Sequence, residues 1–328
     1  MHTRTNYAVT EVLSLVTVVI IASAAVTVVL LWAIPQLDAK KQSVRADSAL
    51  TQFKTITDVI EDITSGGVNS SNLVDFVTDA GDVYLDSKGD RFIFYYSLVE
   101  GFDFNVSNLG DEGDTEFVFT VEDGRASSLT IYYLYSGVSK NEQLDSNPKT
   151  VKSDNNALAD AIKIDVKNSS NIVIGRIWLF DSGYISYEAA SGSGIYRFFA
   201  ENGAAISEYS SGYLYHEPNF YNKDNSIVMK MIQLKTSDSS GGSGKGRYTF
   251  LIKSNAGYVR EVKADIQGCF KMQIYGRNSK AWVDYFMREH GFKKYGSHGQ
   301  DTLYLEGDRT FSLVQSICDA KLMVVTSK

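Results

Sequence analysis

The chain has 328 residues, 44% of them apolar and 22% charged, with 26 glycines and 3 prolines. That balance excludes a disordered, collagen-like or low-complexity chain and supplies enough apolar material for one large domain or two. A formal net charge of −7 gives no electrostatic reason to expect nucleic-acid binding, and 2 cysteines cannot build a four-cysteine zinc site or a disulfide-dense scaffold.

The first element is an uninterrupted apolar block, residues 12–34, reading VLSLVTVVIIASAAVTVVLLWAI without a charge. As a helix it would extend about 35 Å, enough to cross a hydrocarbon core of ~30 Å. Its polar members Ser14, Thr17, Ser23 and Thr27 can bond back to their own helix carbonyls, so none forbids burial in lipid. A cleaved secretory signal would carry a shorter apolar run, about 7–15 residues, followed by a small-residue cut site. Here the block ends instead in Trp32, an interfacial aromatic, and Pro35. A retained transmembrane helix is the expectation. Glu11 stands at its leading edge, where an acid complements the helix dipole.

From Gln36 the pattern turns amphipathic. Ala46, Leu50, Phe53, Ile56, Ile60 and Ile63 recur at three- or four-residue steps, with Lys40, Lys41, Arg45, Lys54, Asp58 and Glu61 mostly off that stripe. This predicts a helix over 35–65, ended by Ser65-Gly66-Gly67, with Pro35 permitting a kink at the junction. The basic residues after the apolar block would place the large C-terminal part in the cytoplasm, although long domains translocate largely regardless of charge. Three sequons, beginning at Asn69, Asn105 and Asn168, are candidate N-glycosylation sites and favour the exterior, which is the orientation expected.

From about residue 80 onward the period becomes two. Arg91 to Tyr96, Glu116 to Val121 and Leu129 to Tyr135 are rich in aromatic and β-branched residues, and similar runs continue to the C-terminus between Gly, Asn, Asp and Ser turns. The predicted class is α+β, mostly β: a long N-terminal helix, transmembrane then amphipathic, followed by a large antiparallel β-sandwich-like region over 70–328 with one short helix. A polar stretch gives a candidate subdivision at 138–156. The short helix is expected from a Ser279 N-cap to a Gly291 stop, with Trp282 and Phe286 packed on a sheet. Cys269 and Cys318 fall in or beside strands; outside a cell they read first as a disulfide, and otherwise as two buried thiols.

Catalytic signatures are not recognisable, and the expectation is a chain that is not an enzyme and needs no cofactor or metal. His2, His216, His290 and His298 lack any metal-site spacing, and His290 and His298 are expected to be exposed. The run Gly241 to Gly246 fails the phosphate-loop pattern because Lys245 precedes Gly246, so a flexible hairpin tip is expected. Asp86 with Asp90, and Asp111-Glu112-Gly113-Asp114, do not have EF-hand spacing and read as solvated turns.

The start of the chain resembles the type IV pilin-like proteins, especially the archaeal pilin and archaellin group. Residues 1–6 form a short leader carrying Arg4, and Tyr7-Ala8-Val9-Thr10-Glu11 precedes the apolar helix. The resemblance implies cleavage between Asn6 and Tyr7, which would make Tyr7 the first mature residue and Glu11 the fifth, or, aligned instead through Ala8-Val9-Thr10-Glu11-Val12-Leu13, a cut at another position. It implies that Glu11 pairs with a neighbour's free N-terminal amine and sets subunit register, offsetting the cost of an acid in the bilayer, about 2.5–3.5 kcal/mol. It implies a helix over 7–34 that self-associates in a membrane or filament core. The strand–helix–strand arrangement around Asn278 to Trp282 is a short further similarity to archaeal pilin-like surface proteins. The expected role is a filament subunit or minor subunit, structural or adhesive, held in the cell membrane or in an extracellular filament. The alternative is a single-pass ectodomain that does not polymerise and binds a glycan or cell-surface partner.

Overall fold

The computed structural model describes the chain except residues 1–3, 109–115, 122–123, 135, 153–160, 192–193, 209–211, 237–239, 296–301 and 326–328. Residues 4–12, 108, 116–117, 152, 191, 256–263 and 324–325 are described by their backbone course. The class is α+β and mostly β, with one long N-terminal helix, one short helix and predominantly antiparallel sheets. Two compact units divide the chain: Met1–Ser48 with Ala190–Gly194, and Ala49–Ala189 with Ile195–Lys328.

The helical part of the first unit begins at Arg4. Pro35 sits inside the helix, withdrawing one N–H from its ladder without ending it. The hydroxyls of Thr17 and Thr27 donate to the carbonyls of Leu13 and Ser23, each at 2.8 Å, so two polar members of the apolar block are satisfied within the helix itself.

The second unit opens with the remainder of the same helix, which ends at Ser65. Ala49, Leu50, Phe53, Ile56, Ile60 and Ile63 are buried, on the stripe that their spacing predicts. Phe53 meets Phe76 edge-on at 5.4 Å and Phe198 at 6.2 Å, so aromatics from two different sheets close on one helix position. Gln52 works as an extra ladder step: Val77 N–H donates to its Oε1 at 2.7 Å and its Nε2 donates to Val77 O at 3.1 Å. Asn219 Nδ2 donates to Glu61 Oε1 at 2.8 Å, and Lys230 Nζ to Ser65 Oγ at 3.1 Å, fixing the last turns.

Among the described residues, four sheets and the short helix make up the rest. The five-stranded sheet runs in the order Ser71–Thr78, Gly246–Ile266, Arg309–Val325, Ser226–Lys235, Phe220–Lys223. Ser226–Lys235 pairs with Arg309–Val325 in parallel; every other register described is antiparallel. The six-stranded sheet runs Tyr213–His216, Ala204–Ser207, Gly194–Glu201, Tyr184–Ser191, Asp82–Asp86, Ser240–Ser243. The glycine-rich run is thus a paired strand rather than a loose tip, with Gly241 packed under Tyr84 and Gly242 under Tyr248, where no side chain would fit. Only Gly244, at φ +90°, makes the turn itself.

The eight-stranded sheet has Arg91–Ser97 near its centre, between Cys269–Tyr275 and Val173–Asp181. All residues of Arg91–Ser97 are buried, because both faces of that strand are covered. Phe92, Phe94 and Tyr96 enter one core with Trp178, Phe270 and the short helix, where Trp282 meets Phe92 edge-on at 5.1 Å. Ile93 and Tyr95 enter a second core with Phe104, Val106 and Phe119 of the three-stranded sheet. The polar stretch expected as a boundary supplies Val138–Gln143 to the eight-stranded sheet and Lys149–Lys152 to the three-stranded one.

Candidate functional site

The apolar helix is the first candidate. Among the described residues it is the one helix long and apolar enough to cross a membrane. Its large side chains from Leu13 to Leu37 are 50–70% exposed and lie on every side of the helix. A helix apolar all round finds its partners in lipid or in other helices. Asn6, Tyr7 and Glu11 lie within the helical backbone, and Tyr7 and Glu11 are one turn apart on one face; their side chains lie outside the described residues.

The three sequons differ in how committed their amides are. Asn69 is exposed in a turn at φ +66°. Asn168 Oδ1 accepts the backbone N–H groups of Ser170 and Ile172, each at 3.0 Å, so it organises its own turn. Asn105 is half-buried and its Oδ1 accepts from Lys271 Nζ at 3.0 Å.

The expected disulfide is not formed: Cys269 and Cys318 are both free thiols. They lie on strands of different sheets. Arg309 pairs with Ile266, three residues before Cys269, whereas Cys318 lies about 30 Å further along its strand. Three residues reach about 10 Å at most, leaving a gap well beyond the ~7 Å limit for a bridge. Burial pushes the Cys269 thiol up to about 11 and the Cys318 thiol up to about 12.

One cluster was not legible in the sequence. Asp90, Ser182, Glu201 and Asn278 converge from a strand start, two hairpins and the position preceding the short helix. Asp90 N–H donates to Glu201 Oε1 at 2.6 Å, Asn278 Nδ2 to Glu201 Oε2 at 2.8 Å, and Asn278 N–H to Asp90 Oδ1 at 3.1 Å. Ser182 Oγ touches both Glu201 Oε1 and Asp90 O. Asp90 is therefore no solvated turn residue: it is 2% exposed and Glu201 is 1% exposed. Burial, reinforced at Asp90 by the charge of Glu201, raises both carboxyls above their ordinary range. Ser182 has a single hydroxyl proton for two oxygen neighbours, and a proton held on Glu201 suits the second contact. Gly276, at φ +132°, lies against Asp90, and a Cβ there would collide with Oδ1. The cluster is buried throughout.

It also corrects the expected cap. The short helix spans Ser279–His290, and the residue before it is Asn278, whose amide is spent on Glu201 rather than on the helix N–H groups. Gly291 ends the helix in the left-handed region at φ 67°. His290 is half-buried instead of exposed: its Nε2 shares a 2.7 Å hydrogen bond with Tyr285 Oη, and Phe220 lies edge-on at 4.4 Å. Burial lowers its pKa. Among the described residues no group of three or more His, Cys, Asp or Glu could hold a metal ion. Asp111-Glu112-Gly113-Asp114 and His298 lie outside the described residues. Comparison of the chain with protein-family models, curated proteins and solved structures gives no match.

Proposed function

We propose that this chain is a pilin-like structural protein of the cell surface, a subunit or minor subunit of a filament with a structural or adhesive role. Residues 7–34 would form the membrane or filament-core helix, 35–65 its amphipathic continuation, and 70–328 an extracellular β-rich region. The observation that carries this reading is the division of labour along one helix. Leu50 to Ile63 bury a stripe in the β-region, whereas Leu13 to Leu37 keep their apolar side chains exposed. Glu11, one turn beyond Tyr7, supplies the acid that a neighbouring subunit's amine would meet.

N-terminal sequencing of the native protein, with electron microscopy of sheared surface material, tests it. The expected result is a mature chain starting at Tyr7 and filaments that contain it. An intact Met1 with no filaments would overturn the proposal. The exposed tyrosines Tyr213, Tyr215 and Tyr221 favour a second reading, a glycan- or partner-binding ectodomain that does not polymerise. Saturable binding on a glycan array by protein that forms no filaments would select it.

A further inference from the structure

The strand Cys269–Tyr275 carries Lys271 into the layer between the eight-stranded and three-stranded sheets. Its side chain is 14% exposed. Tyr95 and Tyr304 flank it in register on the two neighbouring strands, and its Nζ lies 5.7 Å from the centre of the Tyr95 ring. Three oxygens surround that nitrogen: Asp103 Oδ1 at 2.7 Å, Asn105 Oδ1 at 3.0 Å and Phe104 O at 3.1 Å. An amine, a carboxamide and a carboxylate are thus gathered within hydrogen-bond reach on two sheets, from positions 166 residues apart for Lys271 and Asn105.

We propose that Lys271 and Asn105 join in an intramolecular isopeptide bond, with Asp103 as the proton carrier. The Lys271 ammonium gives a proton to Asp103 Oδ1 and the freed lone pair attacks Cγ of Asn105. The Nζ–Cγ bond forms, Asp103 passes its proton to Nδ2, and the Cγ–Nδ2 bond breaks with its electron pair leaving on nitrogen as ammonia. The second proton still carried by Nζ passes through Asp103 to that ammonia. The products are a secondary amide and ammonium; the charge of the lysine departs with the ammonia, and no oxidant or cofactor takes part. The held geometry replaces a bimolecular encounter, as amide exchange between side chains requires. The Asp103 side chain is 62% exposed, which leaves ammonia an exit to solvent, whereas the aliphatic stem of Lys271 is enclosed.

The bond would tie the three-stranded sheet to the eight-stranded sheet covalently, in a chain whose cysteines form no such tie. It would also consume the Asn105 amide, excluding a glycan there. The inference does not depend on whether the chain polymerises.

Intact-mass measurement of the full chain in detergent, followed by proteolytic peptide mapping, tests it. The expected result is a mass lower by one ammonia than that of the chain counted from its measured N-terminus, and a branched peptide joining residues 105 and 271. Asp103→Ala should give the full mass with both side chains unmodified. Asn105→Asp, which keeps the Oδ1 acceptor, should lose one water in place of ammonia if the bond still forms. Lys271→Arg keeps the charge and should remain unlinked, so a folded, unlinked control exists should Lys271→Ala fail to fold. Wild-type protein at full mass with linear peptides through both positions, or a glycan on Asn105, overturns the proposal.

Discussion

Asp90 and Glu201, 111 positions apart, are joined by a 2.6 Å hydrogen bond from the Asp90 backbone N–H to Glu201 Oε1, in a junction that almost no solvent reaches. Two carboxyl groups share this space with a serine and an asparagine. Keeping a proton there is less costly than keeping two buried charges.

Stability should therefore fall as pH rises above about 4. Both acids hold protons to higher pH when folded than when unfolded, where they release them at about pH 4. Above that point the folded state binds more protons, so its stabilisation is complete at lower pH and is lost as pH rises through the raised values. Asp90→Asn keeps the acceptor for Asn278 N–H and removes the charge, so it should flatten this decline. Thermal unfolding followed by near-UV circular dichroism from about pH 4 upward, for wild type and variant, checks it; parallel slopes would refute the assignment.

Phe53→Ala should be among the costliest single changes in the chain. The ring is fully buried between aromatics of two sheets, and truncation of such a residue costs about 3–5 kcal/mol. Denaturant unfolding of the full chain in micelles measures it. Ile20→Ala, on an exposed position of the apolar segment, should leave the same β-region transition unmoved.

Glu11→Ala should abolish or strongly reduce filament formation while the protein remains in the membrane fraction, because the apolar block from Leu13 onward is untouched. Fractionation paired with electron microscopy separates the two effects. Normal filaments in the variant would remove the proposed register role.

Thiol titration of the native protein should be slow for both cysteines, Cys318 more so than Cys269, since burial raises each and the thiolate is the reactive form. Unfolding in denaturant without reductant should release two titratable thiols. A blank result after unfolding would mean that a disulfide forms after all.

Occupancy of the sequons, where the native protein is glycosylated, should be highest at Asn69. Its amide lies in an exposed turn, while the Asn168 carbonyl holds two backbone N–H groups and Asn105 is bonded to Lys271. Glycopeptide mass spectrometry gives the ranking directly.

Much of the architecture is written in local periodicity. The apolar block of residues 12–34 needs no partner elsewhere in the chain to declare itself, because its length and lack of charge are one-dimensional properties. The stripe from Leu50 to Ile63 likewise names its buried face, and alternating aromatic and β-branched residues name the strands. What only the tertiary structure decided are the matters that depend on which distant segment arrives. Arg91–Ser97 is buried on both faces because separate layers cover each side. Cys269 and Cys318 fail to meet because the pairing of Ile266 with Arg309 sets them far apart along the strands, which their presence in strands does not reveal. Asp90, in what reads as a polar turn, becomes a proton-holding acid only when Glu201 and Asn278 close over it, and Lys271 gains its amide and carboxylate neighbours only when two sheets stack. Burial and coupling are properties of contact, and contact between residues far apart in the chain is fixed by how the layers pack.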